Sequence, residues 1–245
     1  VADIIAADLN PAFADILPYD PAHPTLGAPP DDFVPTFDSG GTRYPARFTQ
    51  PFETGGRFRF EVCQAPEHSL RTSDCLLGLI GRTGAGDTLL VQQLQEPPYW
   101  GPTDGTVESD PNLRLEAYIA AARRGAKVRV LLDAYFDDLS SARSNLRTQE
   151  YVAAVARAEG LDIEVRRGNP AGLGLHNKMV LAEIDGQGWI MVGSLNGGEA
   201  SAKVNREVSL IVVAADAYDY LASVFWSDWG ARQSASFHAP QVGVE

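Results

Sequence analysis

From Phe58 onward the sequence alternates strand-length apolar runs with longer stretches of helical periodicity, and this alternation most narrows the possible folds. It specifies an α/β domain, in which helices must cover the apolar faces of a sheet. Residues 88–95 read as a buried strand, 128–132 as another, and Leu161, Ile163 and Val165 alternate with charged neighbours as a half-exposed strand requires. Between them, a helix with Asp110 as N-cap and Pro111 at its first position carries Leu115, Tyr118, Ile119 and Ala122 on one face and stops at Gly125. A second helix, 145–159, buries Tyr151, Val152 and Val155 and ends at Gly160. Further strands are expected at 175–183, 189–192 and 204–213. A last helix sets Tyr218, Leu221, Ala222, Phe225 and Trp229 at spacings of three and four, a core face. The sheet expected from this order is mixed or largely parallel.

The preceding residues follow another pattern. Residues 1–9 read as a short apolar helix, after which Pro11, Pro18, Pro21, Pro24, Pro29, Pro30, Pro35, Pro45 and Pro51 break any regular element. The expected organisation is a helix and proline-rich arm over 1–57, the α/β domain over 58–232, and a tail over 233–245. With 245 residues and 44% hydrophobic content, the chain can bury a substantial core. Its 32 acidic and 20 basic residues give a net charge of −12, which repels polyanions unless the cations gather locally.

No apolar run is long enough to cross a bilayer, and Val1-Ala2-Asp3 lacks the basic and apolar regions of a signal peptide. A start without Met is expected of a chain processed or cut from a longer precursor. Cys63 and Cys75 can form a short-loop disulfide or remain as thiols. With His68 they could also approach a zinc site, but the spacings match no common ligand pattern and a fourth ligand is missing. The acidic composition and scarce cysteines favour an extracytoplasmic bridge.

The chemistry concentrates between Leu175 and Val213. His176 and Lys178 are two apart near a strand start, so imidazole and ammonium share a face. The same spacing relates Ser194 to Asn196, within Gly193-Ser194-Leu195-Asn196, and Asn205 to Glu207. Each pair alone has an ordinary structural explanation, as a satisfied histidine, a solvated lysine or a turn. Three such pairs on consecutive segments could instead aim their polar groups at one place, with a nucleophile beside a cation and a carboxamide.

The run HNKMVLAEIDGQGWIMVGSLNGGEASAKVNREVSLIV resembles the His-x-Lys half of the phospholipase D superfamily, with its Gly-Ser-x-Asn segment and downstream Glu. The resemblance extends over about 58–229 in element order and implies an α/β/α sandwich with helices on both faces of the sheet. It implies His176 as nucleophile, Lys178 and Asn196 as phosphate ligands, and Ser194 as a supporting hydroxyl, with Gly193 and Asn205 beside them. Glu207 would accept from the Nδ1 of a catalytic imidazole. Glu183 stands where the family usually has Asp, five positions after the lysine, and Asp185 lies two further on. A supporting role there would pass to a longer side chain.

The resemblance implies no cofactor and no metal, and it requires a second histidine as general acid. His23, His68 and His238 have no lysine two positions on, so the second His-x-Lys pair must lie outside this chain's sequence. It would come from another segment of a two-motif precursor, of which this chain resembles the C-terminal half, or from a second copy in a homodimer. The expected partner is a phosphodiester. A phospholipid head group is favoured by the acidic charge and by Tyr99 and Trp100 in a loop that could meet an acyl region, although packing within the loop is the more expected role of those rings. Arg166, Arg167 and Arg206 would instead line a groove in a nuclease of the same superfamily. A noncatalytic binding half-domain is the third reading.

Overall fold

The computed structural model describes residues 48, 50–102, 104–172 and 174–231. The expected helix at 1–9, most of the proline-rich arm, the tail, His23 and His238 lie outside the described residues. The described elements are β1 (Arg59–Ala65), α1 (Cys75–Arg82), β2 (Thr88–Gln93), α2 (Leu113–Arg123), β3 (Lys127–Asp133) and α3 (Asn145–Glu159). They continue with β4 (Ile163–Gly168), β5 (Lys178–Ile184), β6 (Gln187–Gly193), α4 (Glu199–Lys203), β7 (Glu207–Val213) and α5 (Ala215–Gly230).

The strands form one sheet in the order β1-β7-β6-β5-β2-β3-β4. It is mixed, as expected. Its parallel pairings are β2–β3 and β3–β4, joined through α2 and α3, while the other four pairings are antiparallel. The parallel share is therefore smaller than the helix–strand alternation implies, because β5 and β6 follow one another as a hairpin. Asp185 and Gly186 make its turn with φ of 50° and 73°, the left-handed pair that a two-residue hairpin of matching twist requires.

Helices cover both faces. On one, α1, α2 and α3 contribute Leu79, Ile80, Leu115, Ile119 and Val152 to a core shared with Val91, Val130, Val180 and Ile211. On the other, Tyr218 and Phe225 of α5 pack with Leu90, Leu131, Leu181 and Ile190. Alternation along each strand feeds the two layers from opposite sides.

The helix ends show which capping signals operate. Ser144 accepts from the Arg147 amide at the start of α3, and Gly160 closes that helix with φ 69°. In α2 the cap is Asn112, whose side chain accepts from the amides of Arg114 and Leu115. Asp110, the expected cap, instead pairs its carbonyl with the Trp100 amide, so α2 starts later than the proline suggests. The segment 204–206, expected as strand, precedes β7 because α4 occupies the residues before it.

Cys63 of β1 is bonded to Cys75 at the start of α1, with Cα atoms 5.7 Å apart. Both sulfurs are thereby consumed, which excludes the zinc reading of Cys63, His68 and Cys75. The Cys75 amide also donates to Glu61 Oε1 at 2.8 Å, so edge strand and helix are fastened twice. Replacing both cysteines by alanine is expected to cost about 3 kcal/mol. For a chain of this size that lowers Tm by about 6–12 °C, and calorimetry showing an unchanged Tm would contradict the bridge's stabilising role.

Candidate active site

Register gathers the polar residues. Because β5 runs antiparallel to β6, and β6 to β7, the start of β5, the end of β6 and the start of β7 meet at one edge of the sheet. Met179 faces Val192 in that ladder and Gly193 faces Ser209. A cleft of about 570 Å³ opens there, lined by His176, Lys178, Gly193, Ser194, Asn196 and Glu207. Gly193 permits the close approach of β7, since a Cβ would collide with the Val208 carbonyl and Ser209.

His176 lies two residues before β5 and is exposed. The Lys178 ammonium is 2.8 Å from its Nδ1 and 3.1 Å from its Nε2, and donates to the His176 carbonyl at 2.9 Å. Burial lowers the Lys178 pKa below that of an ordinary lysine, and the negative charge of Glu207 opposes the shift. Glu207 is 9% exposed, and its Oε1 accepts from Ser201 Oγ at 3.0 Å and from Asn205 Nδ2 at 3.4 Å. The expected Glu207–His176 hydrogen bond is therefore not formed within this chain. The carboxylate is held from below by α4, and the imidazole is held by Lys178.

Ser194 is tied into the ladder, accepting from the Val208 amide at 3.1 Å. Asn196 is half-buried, and its Oδ1 is buried without a hydrogen-bond partner among the described residues. Asn196 is among the residues lining the cleft. Asn205 does not line the cleft and reaches it only through Glu207. Glu183 is not brought there either. It is exposed near the far end of β5, five residues from Lys178 and so about 16 Å along the strand.

Several supporting residues carry no motif. Asn177, which also lines the cleft, donates to Gln92 Oε1 at 3.0 Å, and Gln92 donates to Asp228 Oδ2 at 2.8 Å, coupling the His176 segment to α5. Asp133, fully buried at the end of β3, accepts from the Leu175 amide at 2.6 Å and the Phe136 amide at 2.5 Å. Its pKa is raised by burial despite these bonds. Arg114 and Glu96 form a buried ion pair beneath the Asn196 segment. One signal for it is readable in the sequence: Arg114 lies four residues before Tyr118, on the buried stripe of α2.

Of the two readings of the loop aromatics, packing within the loop is the one observed, and the arginines are found engaged. Tyr99 and Trp100 are 6% and 2% exposed, and the Trp100 indole donates to the Gly197 carbonyl at 3.0 Å, so these rings pack the loop. Arg166 pairs with Glu164 at 2.7 Å, Arg167 with Asp137 at 3.2 Å, and Arg206 with Glu67, so each of the three cations already faces a carboxylate.

Because Glu207 sustains the charge of Lys178 against burial, Glu207→Gln is expected to move the lysine titration to still lower pH. The ammonium, present below its pKa, is then lost earlier as pH rises. An NMR titration of the ¹³Cε-labelled lysines measures this, and an unmoved or raised Lys178 titration would contradict the coupling.

None of the curated proteins compared with this sequence matches it. A family model described as "Cardiolipin synthase, PLD-like domain" matches residues 104–229, just over half of the chain. Among solved structures, NucT from Helicobacter pylori aligns with TM-score 0.50 and 15% identity, over 71% of this chain and 98% of that one. Nuc from Salmonella typhimurium, described as a phospholipase D family member, gives 0.49 and 14%, over 71% and 96%. A phosphatidylserine synthase from Haemophilus influenzae gives 0.45 and 12%, over 74% and 40%. Of these, the NucT alignment alone bears on the fold, and at 15% identity it bears on nothing further. The family match covers β3 to β7 and α5, which include the cleft, and on that match the chain belongs to the phospholipase D superfamily.

Proposed function

We propose that this chain is one half of a phosphodiesterase that hydrolyses or transfers a phospholipid head group through a phosphohistidine. One observation carries the reading: a single cleft gathers an exposed imidazole, an ammonium, a carboxamide and a buried carboxylate. In this reading Lys178 and the Asn196 amide nitrogen hold the nonbridging phosphate oxygens, where fixed donors stabilise developing charge. A ring nitrogen of neutral His176 attacks phosphorus, and the bond to the leaving alcohol breaks as a second histidine gives that alcohol its proton. Water or another alcohol then attacks the phosphohistidine, losing its proton to the same second histidine and freeing His176.

That second histidine is supplied by another His-x-Lys half, in a longer precursor or in a second copy of the chain. Among the described residues the other imidazole is His68, whose Nδ1 faces the Gln64 amide at 3.3 Å and which does not line the cleft.

The choice of a lipid over a nucleic acid rests on two features. The three arginines that could have tracked a polyanion are engaged with carboxylates, in a chain of net charge −12. The cleft wall also contains apolar Met179, Val192 and Leu221. Among the described residues no helix is long and apolar enough to cross a membrane.

The protein, as a dimer or joined with its second half, is expected to cleave bis(p-nitrophenyl) phosphate in the presence of EDTA. His176→Asn should lower kcat by about 10³-fold or more. Retention of full activity by that variant would remove the catalytic assignment. Choline release from phosphatidylcholine vesicles should exceed degradation of single-stranded DNA, and the reverse order would make the enzyme a nuclease.

A further inference from the structure

The Arg114–Glu96 pair has a feature that core packing does not require. Both side chains are essentially inaccessible, at 1% and 0%, and their closest approach is 3.2 Å. Taking two charges out of water offsets most of what their attraction gains, so an apolar pair of similar volume would stabilise the core as well or better. The buried charges must therefore be understood through what they hold.

Arg114 faces two ways. Its Nη2 meets Glu96 and the Tyr118 hydroxyl, the latter at 3.1 Å, while Nη1 donates to the main-chain carbonyl of Asn196 at 2.5 Å and approaches that of Leu195 at 3.5 Å. Glu96 is fixed in turn by Asn112 Nδ2 at 2.8 Å, and its amide donates to Asn145 Oδ1 at 3.1 Å. The next carbonyl, that of Gly197, accepts from Trp100, and the Gly101 amide donates to Glu199 Oε2 at 2.7 Å. A Cβ on Gly197 would collide with the Gln95 carbonyl and the Glu96 carboxylate, so the segment lies directly against the pair. Successive carbonyls on either side of the Asn196 side chain are thus gripped from the β2–α2 connection and the first turn of α2.

We propose that Arg114 is a positioning residue for Asn196: a guanidinium held by Glu96 fixes the Asn196 peptide, and through it the direction of the carboxamide at the cleft. A guanidinium suits the task because it stays charged and presents several donors in one rigid plane. The inference rests on the phosphodiesterase reading for its effect on rate, but its geometric half stands without it.

The test uses the full chain. Since Arg114→Met alone leaves a buried carboxylate without its cation, the main variant is Glu96→Gln with Arg114→Met, and Arg114→Lys is a second in which the charge is kept. Each is made with Asn196 intact and with Asn196→Ala. The Asn196 side-chain amide signal, assigned by its loss in Asn196→Asp, is read by ¹⁵N NMR. Hydrolysis of bis(p-nitrophenyl) phosphate is read in parallel.

The expected result is a shifted or broadened Asn196 signal and a rate about 10- to 100-fold lower with Asn196 present, but a change of less than about twofold in the Asn196→Ala background. Arg114→Lys should fall between the main variant and the parent on both readouts. An Asn196 signal that stays in place, or an equal loss of rate in both backgrounds, would overturn the proposal. If the unaltered protein, assayed as a dimer or joined with its second half, does not cleave the ester at all, the phosphodiesterase reading fails, and the Asn196 signal still decides whether Arg114 holds that residue. Should the main variant not fold, the signal in Arg114→Lys makes the same decision.

Discussion

The antiparallel register of β5, β6 and β7 is the constraint on which the candidate site depends. The start of β5 brings Lys178, the end of β6 brings Gly193, and the start of β7 brings Glu207 to one edge of the sheet. A slip of one residue would turn Lys178 to the opposite face and exchange the buried and exposed sets of the whole strand. The Asp185-Gly186 turn guards against this, because its length fixes which residues of β5 and β6 can pair. Packing guards against it from above. A Cβ on Gly188 would clash with Tyr218, so α5 sits directly on β6 and leaves little room for an altered register.

Beneath that edge lies a layer of buried polar groups that organises loops rather than strands. Asp133 holds the backbone just before His176, Gln92 links Asn177 to Asp228, and Thr148 and Asn145 pin the end of β2 through the Glu96 main chain. Such groups cost free energy to bury and recover it only when their bonds are made, so they tolerate few alternative arrangements. The exposed reactive groups therefore stand on a base with little freedom, which is what a site relying on fixed donors needs. Glu207 takes part in both layers. It is buried against Ser201, yet its charge is felt by Lys178 in the cleft.

Much of this was legible in the sequence where the signal is local. The bounds of α3 follow from helical periodicity and Gly160, and of the three pairs that strand parity grouped, His176, Lys178, Ser194, Asn196 and Glu207 line one cleft while Asn205 does not. Where the deciding partner is remote, local pattern failed. Asp110 and Asn112 are equally good caps by residue type, and the Glu96–Asn112 bond that helps fix Asn112 as the cap spans a loop. Loop packing was the preferred reading of Tyr99 and Trp100, but nothing nearby reveals the Gly197 carbonyl that receives the indole. Glu183 was included through the resemblance alone, and the odd spacing of five from Lys178 and the length of β5 both set it apart from the cleft. The disulfide was one of several open readings until the sheet placed β1 beside α1.

The proposed chemistry makes one unusual demand, that a histidine bond transiently to phosphorus while the cleft's cation and amide hold the oxygens. Rapid quenching during turnover, followed by peptide mass spectrometry under alkaline conditions that preserve phosphohistidine, tests this most directly. The account predicts a phosphoryl adduct on the peptide containing His176, formed and lost at rates compatible with turnover. Turnover with His176 unmodified throughout, or with the adduct on another residue, would contradict it.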